Sequence, residues 1–266
     1  MDLKIFDTLI HSGISPLWPS KPTKDIKITN IITLINQEKL LKGALVQTSP
    51  WFDTSNSIEL FYKFINSNKG PKHVIPVATI PFLSFEKIKS FIRDAIDIGF
   101  TVFKIHPRFS KHSQKDLEII LDYILPKAHL VQVCTYQNQE IKDLSNLSDR
   151  NNLIELLAYK SNLYSKPVML MHAFDVSILK AHSVVRHNKY LILDLSMTIL
   201  KYDQSSIDND IIYLFKHFDR RISVGSDYPE WSFEQLERKL KILGEYTTED
   251  KLKNILYNNV EEILSF

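Results

Sequence analysis

The sequence has almost no cysteine, little excess of charge and no long hydrophobic run. Its one cysteine, Cys134, excludes an intrachain disulfide and suits a reducing compartment. The formal net charge of +2 gives no reason to expect nucleic acid or a membrane surface as a partner. The first residues lack the basic start and apolar segment of a secretion signal, and no apolar run reaches the length of a membrane span. These absences predict a cytoplasmic globular protein.

The length of the chain and the absence of a linker segment limit the number of domains. A chain of 266 residues and 31.0 kDa fits one α/β barrel or two small domains. Neither a low-complexity tract nor a linker divides it, so we expect a single domain over residues 1–266. No Gly-X-Gly-X-X-Gly follows any apolar run, which argues against dinucleotide binding.

Short apolar runs alternate about eight times with longer amphipathic segments. Each run is rich in Val, Ile, Leu or Phe and too short for a helix, as is typical of a strand buried on both faces. The intervening segments Phe85–Ile96 and Leu117–Ile124 carry apolar residues at helical spacing. The alternation predicts a (β/α)₈ TIM barrel of eight parallel strands, with a doubly wound open sheet as the alternative. The predicted strands are Leu3–Asp7, Gly43–Gln47, Val74–Ile80, Thr101–His106, Leu130–Thr135, Pro167–His172, Tyr190–Leu195 and Ile222–Gly225.

Titratable side chains stand at the ends of five of these runs. Barrel enzymes place their chemistry at the carboxyl ends of the strands, so the pattern predicts a shared pocket there. Taken singly, each residue is better explained as a hydrogen-bonded core group. Alternation along a strand would also put Asp7, Leu9 and His11 on one face. The strand-end residues are Asp7, His11, Lys104, His106, Cys134, His172 and Asp227.

Several of these residues lie in segments that resemble a known enzyme family. The chain is similar to the amidohydrolase superfamily, most closely its amidohydrolase-related (amidohydrolase 2) branch, which includes decarboxylases and lactonases. The segment Asn254–Val260 resembles that family's closing helix. The segments that carry the likeness are LKIFDTLIH (Leu3–His11), FKIHP (Phe103–Pro107), MLMHA (Met169–Ala173) and ISVGSDYP (Ile222–Pro229).

The resemblance implies a divalent metal site, but the ligand set is degraded. Metal-containing relatives hold one ion among two first-strand histidines, a fifth-strand histidine and the eighth-strand aspartate. Only His11 and Asp227 match, while Leu9 and Cys134 stand at the other two positions. Because catalytic zinc normally has three protein ligands, we expect no metal cofactor. The alternative is one zinc or manganese ion held by His11, Cys134, Asp227 and the nearby His172; otherwise Cys134 is a small buried hydrophobe.

The resemblance also implies chemistry that needs no metal, as in some lactonases of this branch. Asp227 would act as general base on water, particularly if burial raises its pKa, with His172 and His11 completing the catalytic set. The sequence therefore predicts a small-molecule hydrolase acting on lactone, ester or C–N bonds. A catalytically silent binding barrel and a non-oxidative decarboxylase of the same branch are the alternatives.

The substrate is expected to be small, and possibly cyclic or acidic. Lys104, His106 and Arg108 would bind a carboxylate, and aromatic residues follow three of the predicted strands. We assign Trp51 and Tyr228 to substrate contacts, although such rings also cover barrel mouths or subunit contacts. The sequence leaves the oligomeric state open. The other aromatic residues of these loops are Trp18, Phe52 and Trp231.

Overall fold

Eight parallel strands alternate with helices along the chain. The computed structural model describes residues 3–12, 28–49, 55–68, 70–81, 83–107, 113–136 and 153–264. The strands are β1 (Ile5–His11), β2 (Leu41–Gln47), β3 (His73–Thr79), β4 (Val102–Ile105), β5 (Leu130–Cys134), β6 (Val168–Met171), β7 (Leu191–Asp194) and β8 (Ile222–Ser223). The helices are α1 (Ile28–Gln37), α2 (Ser55–Asn68), α3 (Phe85–Ile98), α4 (Gln114–Ile124), α5 (Leu153–Tyr164), α6 (Ile178–Val185), α7 (Thr198–Lys201), α8 (Ser206–His217), α9 (Phe233–Gly244), α10 (Glu249–Lys253) and α11 (Asn259–Leu264).

The strands form one sheet in the order of the sequence, and its two edges meet. Thr8 N donates to Val224 O at 3.3 Å, and His11 N donates to Tyr228 O at 2.8 Å, which joins β1 to the segment that begins with β8. Sequential order with parallel pairing throughout is the topology of a (β/α)₈ barrel. The predicted TIM barrel is therefore confirmed, and the open doubly wound sheet is excluded.

The hydrophobic pattern also located individual elements. All eight predicted strands overlap an observed one. The predicted helical segment Leu117–Ile124 lies in α4, which buries Leu117, Ile120, Leu121 and Ile124 toward the barrel. Ser84 is the N-cap of α3 and makes no side-chain capping bond.

The first strand departs from the prediction. It runs four residues beyond Asp7, and its register with β2 shifts between Asp7 and Ile10. The shift has a local cause, because Leu9 N donates to the Asp7 side chain at 2.9 Å instead of to the neighbouring strand. Regular alternation is therefore interrupted near Asp7, because Leu9 joins Phe6, three residues earlier, in one apolar cluster. That Asp7, Leu9 and His11 share a face stays a prediction.

Two apolar layers hold the barrel together. The outer layer packs the strands against the helices. The inner layer fills the barrel with side chains from β1 to β7 and is closed from below by Val260 and Leu264 of α11. Complete burial of each such aliphatic side chain contributes about 1.5–3 kcal/mol to the free energy of folding. The inner layer consists of Phe6, Leu9, Leu45, Val77, Val102, Leu130, Met169, Met171, Ile192, Val260 and Leu264.

The C-terminal segment is anchored to the last strand. Asn259 Nδ2 donates to the carbonyl oxygens of Asp219 and Ile222, both at 2.8 Å, so it satisfies backbone acceptors where β8 begins. The residues before it, Asn254–Asn258, form one π-helical turn. Among the residues that the structure describes, no helix has the length and apolar character needed to cross a membrane.

Candidate active site

The carboxyl ends of the strands bring the predicted polar residues together at one mouth of the barrel. The charge of Lys104 shifts the pKa values of other residues in this group, which shows that their side chains lie close together. All are buried except His11, which is partly exposed. The residues that lie close together at this mouth are His11, Lys104, His106, Cys134, His172 and Asp227.

His11 and Asp227 form an ion-pair-like contact across the barrel closure. His11 Nε2 lies 3.0 Å from Asp227 Oδ1. Burial alone would raise the pKa of Asp227, but the His11 hydrogen bond and the positive charge of His172 lower it to about 2. Burial and the charge of Lys104 lower the pKa of His11 to about 4. At neutral pH the pair is therefore a carboxylate hydrogen-bonded to a neutral imidazole, and Asp227 lacks the raised pKa considered from sequence.

His172 forms a second pair with Cys134. Burial would lower the pKa of His172, but its interaction with Cys134 raises that pKa to about 9. Burial would likewise raise the pKa of the Cys134 thiol, but His172 and Lys104 lower it. By contrast, burial and the neighbouring positive charges hold the pKa of His106 well below its usual range. His172 is thus the imidazole of this mouth that is protonated at neutral pH.

A strained turn presents His172 to the pocket. Four consecutive non-glycine residues, His172 to Asp175, have positive φ angles between 49° and 65°. Thr135 stabilises the turn by donating to Met171 O at 2.6 Å and accepting from Phe174 N at 2.8 Å. Thr198 donates to His172 O at 2.7 Å. Backbone in this region costs about 1–3 kcal/mol per residue and persists only where surrounding contacts enforce it, which is typical of functional sites.

Lys104 lies deeper in the barrel and is completely buried. Its Nζ has no hydrogen-bond partner among the described residues. Burial lowers the pKa of Lys104, while the charges of Cys134, Asp227 and Asp194 oppose that shift. Side chains at the same level also carry buried atoms without partners in the described part of the chain, namely Gln47 Oε1, Thr79 Oγ1 and Gln132 Oε1. Buried polar atoms without a hydrogen-bond partner are rare in folded proteins, so we expect the atoms at this level of the barrel to bind polar groups of a ligand.

The sequence and the fold of this chain can be compared with those of known proteins. No family model matches the sequence, and no curated protein matches it either. An uncharacterized TIM-barrel protein from Bordetella bronchiseptica is similar over 99% of both chains, at 14% identity and a TM-score of 0.71. A 5-methylcytosine deaminase from Klebsiella pneumoniae (10% identity, TM-score 0.59) is matched over 89% of this chain and 63% of its own. A D-hydantoinase (12% identity, TM-score 0.59) is matched over 96% and 62%.

These similarities establish the fold. The deaminase and the hydantoinase belong to the amidohydrolase superfamily, so the structural neighbours include enzymes of the superfamily that the motifs resemble. The chain spans less than two thirds of the length of either one. Identities of 10–14% leave the chemistry to be argued from the site itself.

The residues at the mouth do not fit the metal site of metal-containing relatives. Within the described ranges, no group of three or more His, Cys, Asp or Glu side chains is arranged to hold an ion. Leu9, which the family resemblance places where relatives have a histidine ligand, is completely buried in the inner apolar layer. Its hydrocarbon side chain has no lone pair to offer, and Cys134 is engaged with His172.

Asp194 is a member of this site that the sequence analysis missed. It ends β7 and is completely buried. Its carboxylate accepts from Thr8 Oγ1 at 2.5 Å, Ser223 Oγ at 2.8 Å and Ser196 N at 3.1 Å, and also from Ser196 Oγ. The available signal was its place at the end of the apolar run Tyr190–Leu195, as with the aspartate that follows β8.

Asp7 lies within the barrel wall, below the mouth. Its Oδ1 accepts from Leu9 N and from Ser226 N at 3.0 Å, which ties β1 to the segment after β8. Its Oδ2 is buried without a partner among the described residues. Burial, assisted by the charge of Asp194, raises the pKa of Asp7 to about 7 despite those hydrogen bonds. Asp7 thus closes the barrel instead of ending a strand at the pocket.

The structure describes only some of the aromatic and arginine residues that were considered as substrate contacts. Tyr228 is half-buried, and its ring stacks on Phe233 with centroids 5.2 Å apart, so packing against α9 fixes its position. Trp231 is half-buried beside the outer apolar layer. Arg108 and Trp51, assigned to substrate binding, lie outside the described residues, as do Trp18 and Phe52.

Proposed function

We propose that this protein is a metal-independent hydrolase of small lactones, esters or related C–N substrates. The observation that carries the proposal is the ionised Asp227, held by His11 beside the protonated His172 and the unpartnered Lys104. A carboxylate, an acid and a buried donor around one mouth are the parts that water-mediated acyl hydrolysis needs.

Asp227 is the proposed proton acceptor for the attacking water. A carboxylate with a pKa of about 2 is a weak base in solution. In the site, the hydroxide that develops lies near the positive charge of His172, which offsets the cost of removing the proton. His11 remains neutral and positions Asp227. His172 then donates a proton to the leaving group, as its raised pKa permits.

Lys104 and its surroundings suit an anionic or strongly polar substrate. A buried amino group without a partner favours a ligand that supplies a carboxylate or carbonyl oxygen. His106, held neutral beside it, adds a hydrogen-bonding group and no second charge. We therefore propose an acidic substrate, and we keep Arg108, Trp51 and Tyr228 as proposed further contacts with it.

The test compares wild type with Asp227→Asn against a panel of lactones, esters and aryl carboxylic acids. Asparagine keeps the shape of aspartate but accepts no proton at neutral pH, so hydrolysis should disappear while the fold and ligand binding persist. Equal rates in the two proteins would exclude Asp227 as the base. Release of carbon dioxide from an aryl carboxylic acid, without hydrolysis, would favour the decarboxylase alternative.

A catalytically silent binding barrel is the second candidate. It is favoured by Leu9, whose side chain fills part of the barrel interior where a relative has a metal ligand. Under this hypothesis no member of the panel would be turned over, yet acidic ligands would still raise the melting temperature through Lys104.

A further inference from the structure

The backbone places Cys134 and His172 side by side. Cys134 ends β5, where it pairs in register with Met171 of β6, and His172 is the next residue. Their side chains are close enough to interact electrostatically, and each shifts the pKa of the other. Both residues are 5% exposed, so the pair is shielded from bulk solvent.

The orientation of His172 fixes which ring nitrogen faces the thiol. Nδ1 lies 3.0 Å from Ser196 O, and because a carbonyl oxygen only accepts, Nδ1 carries a proton and donates it. Nε2 is therefore the nitrogen that exchanges a proton with Cys134. Ser196 is itself held by Asp194 through its backbone N–H and its hydroxyl. Thiol, imidazole and orienting carbonyl are the three parts of an activated nucleophile.

Lys104 supplies a second, independent sign of a ligand at this pair. It pairs in register with Gln132, and side chains two apart on a strand share a face, so Lys104 and Cys134 lie on the same side of the barrel wall. Its completely buried Nζ has no partner among the described residues. A donor in this position suits an oxygen that gains negative charge during a reaction at the sulfur.

We propose that Cys134 is a nucleophile that forms a thioester with the acyl group of the substrate. The inference builds on the proposed hydrolase function and gives it a covalent route. The sulfur attacks the carbonyl carbon, and the resulting oxyanion lies near Lys104. The C–O or C–N bond then breaks, and the proton that His172 took from Cys134 passes to the leaving group.

Water completes the cycle. Asp227 takes a proton from the water as its oxygen attacks the thioester carbon. The C–S bond breaks, the carboxylic acid is released, and the proton returns to the Cys134–His172 pair. The route uses first the Cys134–His172 pair and then the His11–Asp227 pair, and it needs no oxidant or metal. His172 also favours the nucleophilic form of the sulfur, because it lowers the pKa of the Cys134 thiol against the effect of burial.

The test uses p-nitrophenyl acetate and the fact that Cys134 is the chain's one cysteine. Acid-quenched protein is examined by intact-mass and peptide mass spectrometry. We expect an acetyl group on Cys134, a burst of p-nitrophenol close to one equivalent, and greater accumulation of the adduct in Asp227→Asn. Cys134→Ala and Cys134→Ser should show neither burst nor adduct, with circular dichroism and melting temperature confirming that both fold.

Alkylation by iodoacetamide is a second measurement that does not depend on turnover. His172 lowers the pKa of the Cys134 thiol, so the folded protein should be alkylated at Cys134 faster than the urea-unfolded chain. His172→Asn should remove that advantage. No acetyl adduct, together with alkylation slower than in the urea-unfolded chain, would overturn the inference and leave Cys134 as a packing residue.

The two proposals fail in distinguishable ways. If Asp227→Asn is inactive and Cys134→Ala hydrolyses the ester at the wild-type rate, water attacks directly and only the covalent route is wrong. If both variants retain the wild-type rate, the hydrolase mechanism itself is wrong.

Discussion

His11 Nε2 and Asp227 Oδ1 lie 3.0 Å apart, although 216 positions separate the two residues in the sequence. The contact exists because β1 closes the barrel against the segment after β8. The hydrogen bond from His11 and the nearby positive charges keep Asp227 ionised, although burial alone would raise its pKa.

The first prediction concerns this pair. In His11→Leu the pKa of Asp227 should rise, because the hydrogen bond that lowers it most is lost while burial still raises it. The acid limb of kcat/KM should move up from about pH 2 into a measurable range. At pH 7 the rate should fall by less than the about 10²–10⁴-fold expected for loss of the base itself. His187→Leu, at an exposed histidine, is the control. An unchanged acid limb would contradict the assignment.

Lys104 should show a trade-off between stability and function. Lys104→Met keeps the length of the side chain and removes a buried amino group without a partner, so the free energy of unfolding should increase by about 1–3 kcal/mol. KM for acidic substrates should rise more than kcat falls. Urea unfolding and steady-state kinetics measure both, with the exposed Lys115→Met as the matched control. A loss of stability with unchanged KM would show that Lys104 is a structural residue.

Asp7 should make the protein less stable as the pH rises. Its pKa is about 7 in the folded protein and 3.8 in the reference state, so between these values the folded chain binds more protons than the unfolded chain. The penalty reaches about 4 kcal/mol above pH 7. Asp7→Asn keeps the acceptor for Leu9 N and Ser226 N. The variant should therefore gain stability relative to wild type as the pH rises from 4 to 8.

Urea unfolding of wild type and Asp7→Asn at several pH values isolates this contribution, because the other titrating groups are common to both proteins. Asp97→Asn, at an exposed carboxylate, is the control. A stability difference that stays constant between pH 4 and 8 would show that Asp7 is ionised throughout.

Metal content provides the fourth prediction. Protein purified without chelator should contain well below one equivalent of zinc or manganese, since the buried Leu9 puts hydrocarbon where the family resemblance implies a histidine ligand. Leu9→His should raise zinc uptake, at some cost in stability because the inner layer around position 9 is apolar. Elemental analysis measures both proteins, with Leu45→His as a control in the same layer. Stoichiometric metal in wild type would show that Cys134 or an undescribed residue completes a site.

Local pattern determined much of the architecture. Eight apolar runs, too short for helices and separated by amphipathic segments, specify parallel βα units, and their number specifies closure of the barrel. Strand-end position then sufficed to place Lys104, Cys134, His172 and Asp227 at one mouth. The motif likeness added the expectation of an amidohydrolase-type barrel, and structural neighbours of that superfamily share the fold.

Charge state and pairing were decided by the tertiary structure. Sequence order gives no distance between β1 and the segment after β8, so the His11 contact that lowers the pKa of Asp227 was not predictable, and neither was the irregular register that separates Asp7 from the pocket. Cys134 appeared from sequence to be an inert hydrophobe or a metal ligand. Parallel register brings it beside His172, whose orientation is set by Ser196 24 residues away in the chain. The sequence determined which groups reach the mouth, and the packing of the strands decided which of them carry charge.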